Sequence, residues 1–384
     1  MKFNFDEMTE RRGTGAYKWD ASSDPDMLPL WVADMDFRTA PVITEALRKR
    51  VETGIFGYVK VPESYYFALR RWFRLRHGWT MLDDHVLYTS GVVPAISVSI
   101  KAMVKPGRGV ILQTPAFNYF FSSVRNNGCK IYENPLNRVE TPDGFTFEMD
   151  FDGLRELAQR DDVDMLILCN PHNPTGRVWT QEELEKVRDI CHDNGVQVVS
   201  DEIHCEIVHP DYEYIPYMRV DPDAIICCSP SKGFNIAGLQ IANVIVRDEE
   251  KRNRIDRAIN VNEVCDVNPF GVLALETAYN EGGEWLDAVN AYLYDNYLYL
   301  RDTLGRELPH LKICNSESTY LAWMDITPMG ITSQEVERLG KEQGKVWVSA
   351  GEMYGGPGYI RINYACPRER LAEGLRRLIA VLRK

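Results

Sequence analysis

The chain has 384 residues, a formal net charge of −12 and 45% hydrophobic residues, enough to bury a substantial core and to allow two or three domains. The acidic balance argues against a nucleic-acid or anionic-membrane surface. The polar start from Met1 to Glu7, and the lack of any run of ~18 apolar residues, imply a cytoplasmic protein.

In chain order, residues 1–40 read as an extended arm rich in Arg, Asp and Trp. Residues 41–78 read as amphipathic helix broken at Gly54–Gly57. From about 79 to 280 apolar strands alternate with helical segments, the strands falling near 86–90, 110–114, 129–133, 165–169, 196–200, 224–228 and 242–246. Thr180-Gln-Glu-Glu183 is a capping box that opens one of the helices. The alternation predicts an α/β fold with a mostly parallel, seven-stranded sheet covered on both faces. A long helix over 282–308 then leads to a smaller α+β domain. Its strands are predicted at Tyr320–Asp325 and Tyr359–Tyr364, and its last helix, from Pro367 to Lys384, carries basic residues toward its end. The domain division is an arm over 1–40, a large domain over 41–285 and a small C-terminal domain over 286–384.

Three consecutive predicted strands end in polar clusters. The run Met165 to Leu168 meets Cys-Asn-Pro-His-Asn-Pro-Thr-Gly over 169–176, a proline-locked loop with Asn173. Val196 to Ser200 ends in Asp201, followed by Glu-Ile-His204. Ala224 to Cys228 ends in Ser-Pro-Ser-Lys-Gly-Phe-Asn, with Lys232 in the middle. Ligands of open α/β sheets bind at the carboxyl ends of strands, so Asn173, Asp201 and Lys232 should converge.

The chemistry suits one cofactor. Burial lowers a lysine toward its neutral amine, which forms a Schiff base with an aldehyde, and pyridoxal 5′-phosphate (PLP) is the common biological aldehyde of that kind. PLP needs a carboxylate against its protonated ring nitrogen, for which Asp201 is the candidate. It needs a donor at its phenolate oxygen, for which Asn173 is the candidate with His204 nearby. Ser229 and Ser231 are candidate phosphate donors, as are Gly91, Val92 and Val93, where a strand meets a helix start. Nine cysteines without framework spacing read as reduced thiols. Neither Cys169 with His172 nor His204 with Cys205 and His209 has metal-ligand spacing, and no metal is expected.

The order N-P-x-N-P-T-G, D-E-I-H, S-x-S-K resembles the fold-type I PLP enzymes, the aspartate aminotransferase superfamily. Within it the chain is similar to the cystathionine β-lyase/C–S lyase subfamily, which includes the maltose-regulon modulator. Arg12-Gly-Thr14, Lys18-Trp-Asp20, the stretch Leu28 to Phe37, Gly54 to Tyr58, Lys232 to Gln240 and Tyr359 to Arg368 carry that finer likeness. The resemblance implies a PLP-binding large domain in a homodimer with shared active sites. Lys232 would hold the cofactor and move the substrate's α-proton, Asp201 would pair with the ring nitrogen, and Arg361 would clamp the α-carboxylate. Tyr58 would reach the phosphate of a neighbouring subunit, and Tyr119 and Asp34 would face the substrate. Phe117 stands where the family usually has a tyrosine on the cofactor ring, and Gln240 stands where aminotransferases often carry a phosphate-binding arginine.

The same core serves transamination and β-elimination. Trp31, Phe37, Phe117, Tyr119 and Phe120 suggest a partly apolar side-chain pocket, and no second cation for a distal carboxylate is evident beyond Arg38. The resemblance therefore implies a C–S β-lyase acting on L-cystathionine or related cysteine conjugates. The alternatives are an aminotransferase on the same scaffold and a protein of this fold that regulates a partner.

Overall fold

The apolar runs form one seven-stranded sheet in the computed structural model, which describes residues 3–261 and 266–383. Cys265, together with Met1, Lys2 and Lys384 at the ends of the predicted arm and last helix, lies outside the described residues. Across the sheet the order is Val86–Thr89, Ala242–Ile245, Ile225–Cys228, Gln197–Asp201, Val163–Cys169, Gly109–Thr114 and Lys130–Pro135. Ala242–Ile245 is antiparallel to both neighbours, and the other pairings are parallel.

The period of 2 along each strand explains why the sheet is buried twice over. Leu166, Leu168, Val198, Ile226 and Cys228 enter one core layer, while Met165, Ile167, Val199, Ile225 and Cys227 enter another. Each large side chain buried this way contributes about 1.5–3 kcal/mol. The adjacent Cys227 and Cys228 thus point to opposite faces, and both are free thiols.

A four-stranded antiparallel sheet follows the helix Gly283–Glu307, in the order Lys312–Ile313, Leu321–Asp325, Tyr359–Asn363, Ser349–Ala350. Leu28–Pro29 pairs with Val346–Trp347, which ties the N-terminal arm to this part of the chain. The arm is also stapled by charge. Lys18 Nζ lies 3.2 Å from Asp36 Oδ2, Arg370 Nη1 lies 3.3 Å from the same oxygen, and Trp19 Nε1 donates to Asp36 Oδ1 at 2.9 Å. Burial pushes the Asp36 carboxyl up, but Lys18, Arg370 and the Trp19 donor outweigh it and hold it below the usual range.

The structure differs from the sequence reading in the extent of one break and in one added hairpin. The segment over 41–78 is broken as read, into Pro41–Glu52 and Glu63–His77. The break spans 53–62, longer than Gly54–Gly57, because Pro62 sets the start of the second helix. A hairpin of Asn137–Thr141 and Gly144–Glu148 was not anticipated, since its first strand is polar. The last helix, Arg368–Leu382, has Arg383 as its C-cap, while Arg376 and Arg377 pair with Glu373 within the helix. The Thr180 capping box forms as read, with Thr180 Oγ1 accepting from Glu183 N at 3.2 Å.

Candidate active site

Three adjacent strands, Val163–Cys169, Gln197–Asp201 and Ile225–Cys228, deliver Asn173, Asp201 and Lys232 from their carboxyl ends. The loop bearing Asn173 is fixed by its surroundings. Gly176 has φ +76°, and a Cβ there would lie 2.5 Å from Ser316 Oγ, so only glycine fits. Arg177 Nη1 donates to both carboxylate oxygens of Glu317, and its Nη2 to both of Glu183, at 2.8–3.0 Å. Trp179 is fully buried and donates to Cys169 O at 2.8 Å.

Arg361 comes from the small sheet and is buried. Its Nη1 donates to Asn173 Oδ1 at 3.2 Å and its Nη2 to Trp31 O at 3.1 Å. The guanidinium lies 4.4 Å from the Tyr354 ring centroid, a cation–π contact. Its Nε is buried without a hydrogen-bond partner among the described residues, as is His204 Nδ1. Burial draws the Arg361 pKa below its ordinary value. Burial, with the charges of Lys232 and Arg361, holds His204 well below its own, so the ring is neutral.

Lys232 is half-buried, and its Nζ donates to Ala33 O at 2.5 Å. Burial lowers its amine to about 8, with Arg361 adding to the shift and Asp34 and Asp201 opposing it. Asp201 is buried, and its Oδ1 accepts from Ile203 N at 3.0 Å. Burial raises its carboxyl to about 7, with the neighbouring Glu202 adding to the effect. A buried carboxyl with so little compensation suits a cationic N–H partner. The unpaired Arg361 Nε suits a further acceptor, and the His204 Nδ1 a donor or an acceptor according to its tautomer. The donor set therefore fits PLP with an amino-acid substrate.

The other expected site residues lie as follows. Ser229 Oγ donates to Ile241 O at 2.5 Å and accepts from Ser231 N at 3.1 Å, so it braces the lysine loop. Asp34 is drawn into ion pairs with Arg11 at 2.8 Å and Lys18 at 3.4 Å. Gly91, Val92 and Val93 do stand at the start of the helix Val92–Met103. Phe117 begins the next helix, its ring 5.4 Å from that of Tyr119, which is 51% exposed. Phe37 and Phe120 are buried in the core, and Trp31 stacks on Trp347 at 4.2 Å, so the five aromatics do not form one pocket. Arg38 is exposed and paired with Glu7 at 3.0 Å. Tyr58 is 93% exposed in the connection before Glu63–His77.

The sequence reading missed how the arm is held against these strands. Ala33 O also accepts from Tyr320 Oη at 3.0 Å, and Asn363 Nδ2 donates to Asp34 O at 2.7 Å. Asn235 accepts from Met35 N and donates to Met35 O and Phe37 O, all within 3.0 Å. The Phe-Asn pair after Lys-Gly was the available signal: an amide just past the lysine can hold an extended strand through its own donor and acceptor.

The chain matches the aminotransferase class I and II family over residues 25–378. Cystathionine beta-lyase PatB of Bacillus subtilis is 38% identical over 389 residues, covering 99% of this chain and 100% of that one. Protein MalY of Escherichia coli is 35% identical over 392 residues, covering 99% of each. Among solved structures, cystalysin of Treponema denticola, which contains PLP, superposes with a TM-score of 0.95 at 31% identity and covers 100% of this chain and 99% of its own. The PLP-bound C–S lyase of Staphylococcus hominis gives 0.91 at 34%, with 100% and 98% covered.

Proposed function

The chain belongs to the aminotransferase class I and II family, and on that premise we propose that it is a PLP-dependent C–S β-lyase. It would convert L-cystathionine, or a related S-conjugate of cysteine, with water to a thiol, pyruvate and ammonia. One observation carries the reading: the Lys232, Asp201, Asn173 and Arg361 cluster stands on a chain 38% identical end to end to a protein named cystathionine beta-lyase.

PLP, when bound, supplies an electron sink that makes the substrate's Cα–H acidic. The protein's own groups would do the rest. Arg361 holds the α-carboxylate through its planar fork, with its unpaired Nε available to it. Asp201 keeps a proton on the ring nitrogen by staying anionic beside it. Asn173 donates to the phenolate oxygen. Lys232, with its amine drawn down to about 8, takes the α-proton as a base and can return it to a departing group. A thiolate leaves Cβ readily, which directs the reaction to elimination.

Arg361→Lys keeps the charge but loses the fork, and kcat/KM for the amino acid should fall about 10²-fold, mostly through KM. Steady-state kinetics check this. Arg38, the candidate for a distal carboxylate, is committed to Glu7 at the surface, which disfavours a dicarboxylate aminotransferase. The proposal is tested by comparing kcat/KM for L-cystathionine with that for aspartate plus a keto acid. The thioether should be strongly preferred, and the opposite preference would make the enzyme an aminotransferase.

We further infer a homodimer with shared sites. Tyr58, Ile55 and Phe56 stand exposed together, at 93%, 71% and 59%, and apolar residues so placed suit a subunit contact. Mixing a Tyr58→Phe variant with a Lys232→Ala variant should restore part of the activity through mixed dimers. No recovery after demonstrated subunit exchange would remove Tyr58 from the site. Among the described residues no helix is long and apolar enough to cross a membrane.

A further inference from the structure

Behind the lysine loop lies a second cluster that the proposed reaction does not use. A cleft of about 770 Å³ is lined by His77, Cys205 and Glu206, with Arg76, Glu213 and Glu281 around it. One donor atom from each of His77, Cys205 and Glu206 can be chosen so that all three lie within 4.8 Å of one another. His77 Nε2 is 3.0 Å from Glu206 Oε1, and Cys205 Sγ is 3.8 Å from the same oxygen. Ligand atoms about 2.0–2.3 Å from a tetrahedral zinc stand roughly 3.3–3.8 Å apart, so small side-chain rotations would complete the set.

Against burial, His77, Trp72 and Arg76 hold the Glu206 carboxyl below its usual range, yet one of its oxygens lacks a hydrogen bond among the described residues. The Glu206 side chain is only 1% exposed. Its Oε1 accepts from Trp72 Nε1 at 2.6 Å, while its Oε2 is buried with no hydrogen-bond partner among the described residues. Arg76 Nε lies 3.5 Å from Oε2, and its Nη2 is already paired with Asp287. Cys205 is a free thiol.

From this geometry we propose that His77, Cys205 and Glu206 bind a divalent transition metal of the zinc type, with the cleft supplying the open fourth position. Mixed N, S and O donors select such an ion over magnesium or calcium. The site joins the helix Glu63–His77 to the segment that follows Asp201, two pieces 129 positions apart at their contact. That separation is why no metal-ligand spacing shows in the sequence. The site also backs onto the lysine loop, since a Cβ on Gly233 would lie 2.9 Å from Glu206 Cβ. A bound metal therefore acts as a clamp behind Lys232 and raises stability by mass action.

The test is zinc titration of the purified, reduced holoenzyme against a chromophoric chelator, beside His77→Gln and Cys205→Ser. Glutamine keeps a hydrogen bond to Glu206 but is a poor metal ligand, so His77→Gln should fold, as its melting temperature without zinc would report. The wild type should bind one zinc per subunit that each variant binds at least about 10-fold more weakly. Saturating zinc should raise the melting temperature of the wild type and not of His77→Gln. Equal stoichiometry and affinity in wild type and His77→Gln would overturn the proposal, whatever the behaviour of Cys205→Ser.

Discussion

Lys232→Ala should abolish C–S lyase activity, with kcat falling by at least about 10⁴-fold, the upper range for losing a positioned base. It should also end covalent capture of pyridoxal phosphate by borohydride. The two losses have one cause. The Lys232 amine is the group at the end of Ile225–Cys228 whose pKa burial has brought near neutrality, to about 8. The pH dependence gives an independent handle. A lysine with an ordinary pKa of about 10.4 would capture an aldehyde faster up to that pH. Here capture by the cofactor-free protein should rise with pH and level off above about 8. Trapping that persists in Lys232→Ala, or a rise that continues to pH 10, would move the role to another amine.

Asp201→Asn should have two effects of opposite sign. Activity should drop on the order of 10³-fold, because a neutral amide cannot hold a proton on the cofactor ring nitrogen. The cofactor-free protein, however, should gain stability at alkaline pH. The sign follows from linkage. Asp201 has a folded-state pKa raised to about 7 by burial, against roughly 3.9 unfolded. Its neutral form favours the fold fully below the unfolded pKa, and that contribution is lost as pH rises through about 7. An asparagine never ionises, so its advantage over aspartate should be small at pH 4–5 and largest at pH 8. Melting temperatures of the two cofactor-free proteins at both pH values measure it. A gap independent of pH would mean that Asp201 is not a buried, uncompensated acid.

Part of this site was legible in the sequence for a simple physical reason. Lysine and aspartate are costly at the ends of apolar strands, so Lys232 and Asp201 stood out against Ile225–Cys228 and Val196–Ser200. The capping box at Thr180 and the seven strand runs were equally local. What stayed hidden depends on the backbone or on distant partners. Lys232 donates to the carbonyl of Ala33, and a carbonyl carries no residue signature. Asp34 looked available until Arg11 and Lys18 were folded onto it. Ser229 has the right chemistry for a phosphate, but its hydroxyl hydrogen goes to Ile241 O. The hairpin over 137–148 was missed because its first strand is largely polar, although Phe145 and Phe147 alternate into the core on the second.

The arm explains why the stretch from Trp31 to Phe37 was part of the family likeness. Its backbone is held by Arg361, Lys232, Tyr320, Asn363 and Asn235, side chains from both sheets' surroundings.

Elimination at Cβ by a lysine-centred site can be read from product formation without a co-substrate. Purified holoenzyme is given excess L-cystathionine with no keto acid, and pyruvate and free thiol are counted per subunit over time. Elimination should give equal amounts of both, continuing for many turnovers. Substrate consumption that stops at about one equivalent per subunit without pyruvate or free thiol, and resumes only when a keto acid is added, would contradict it.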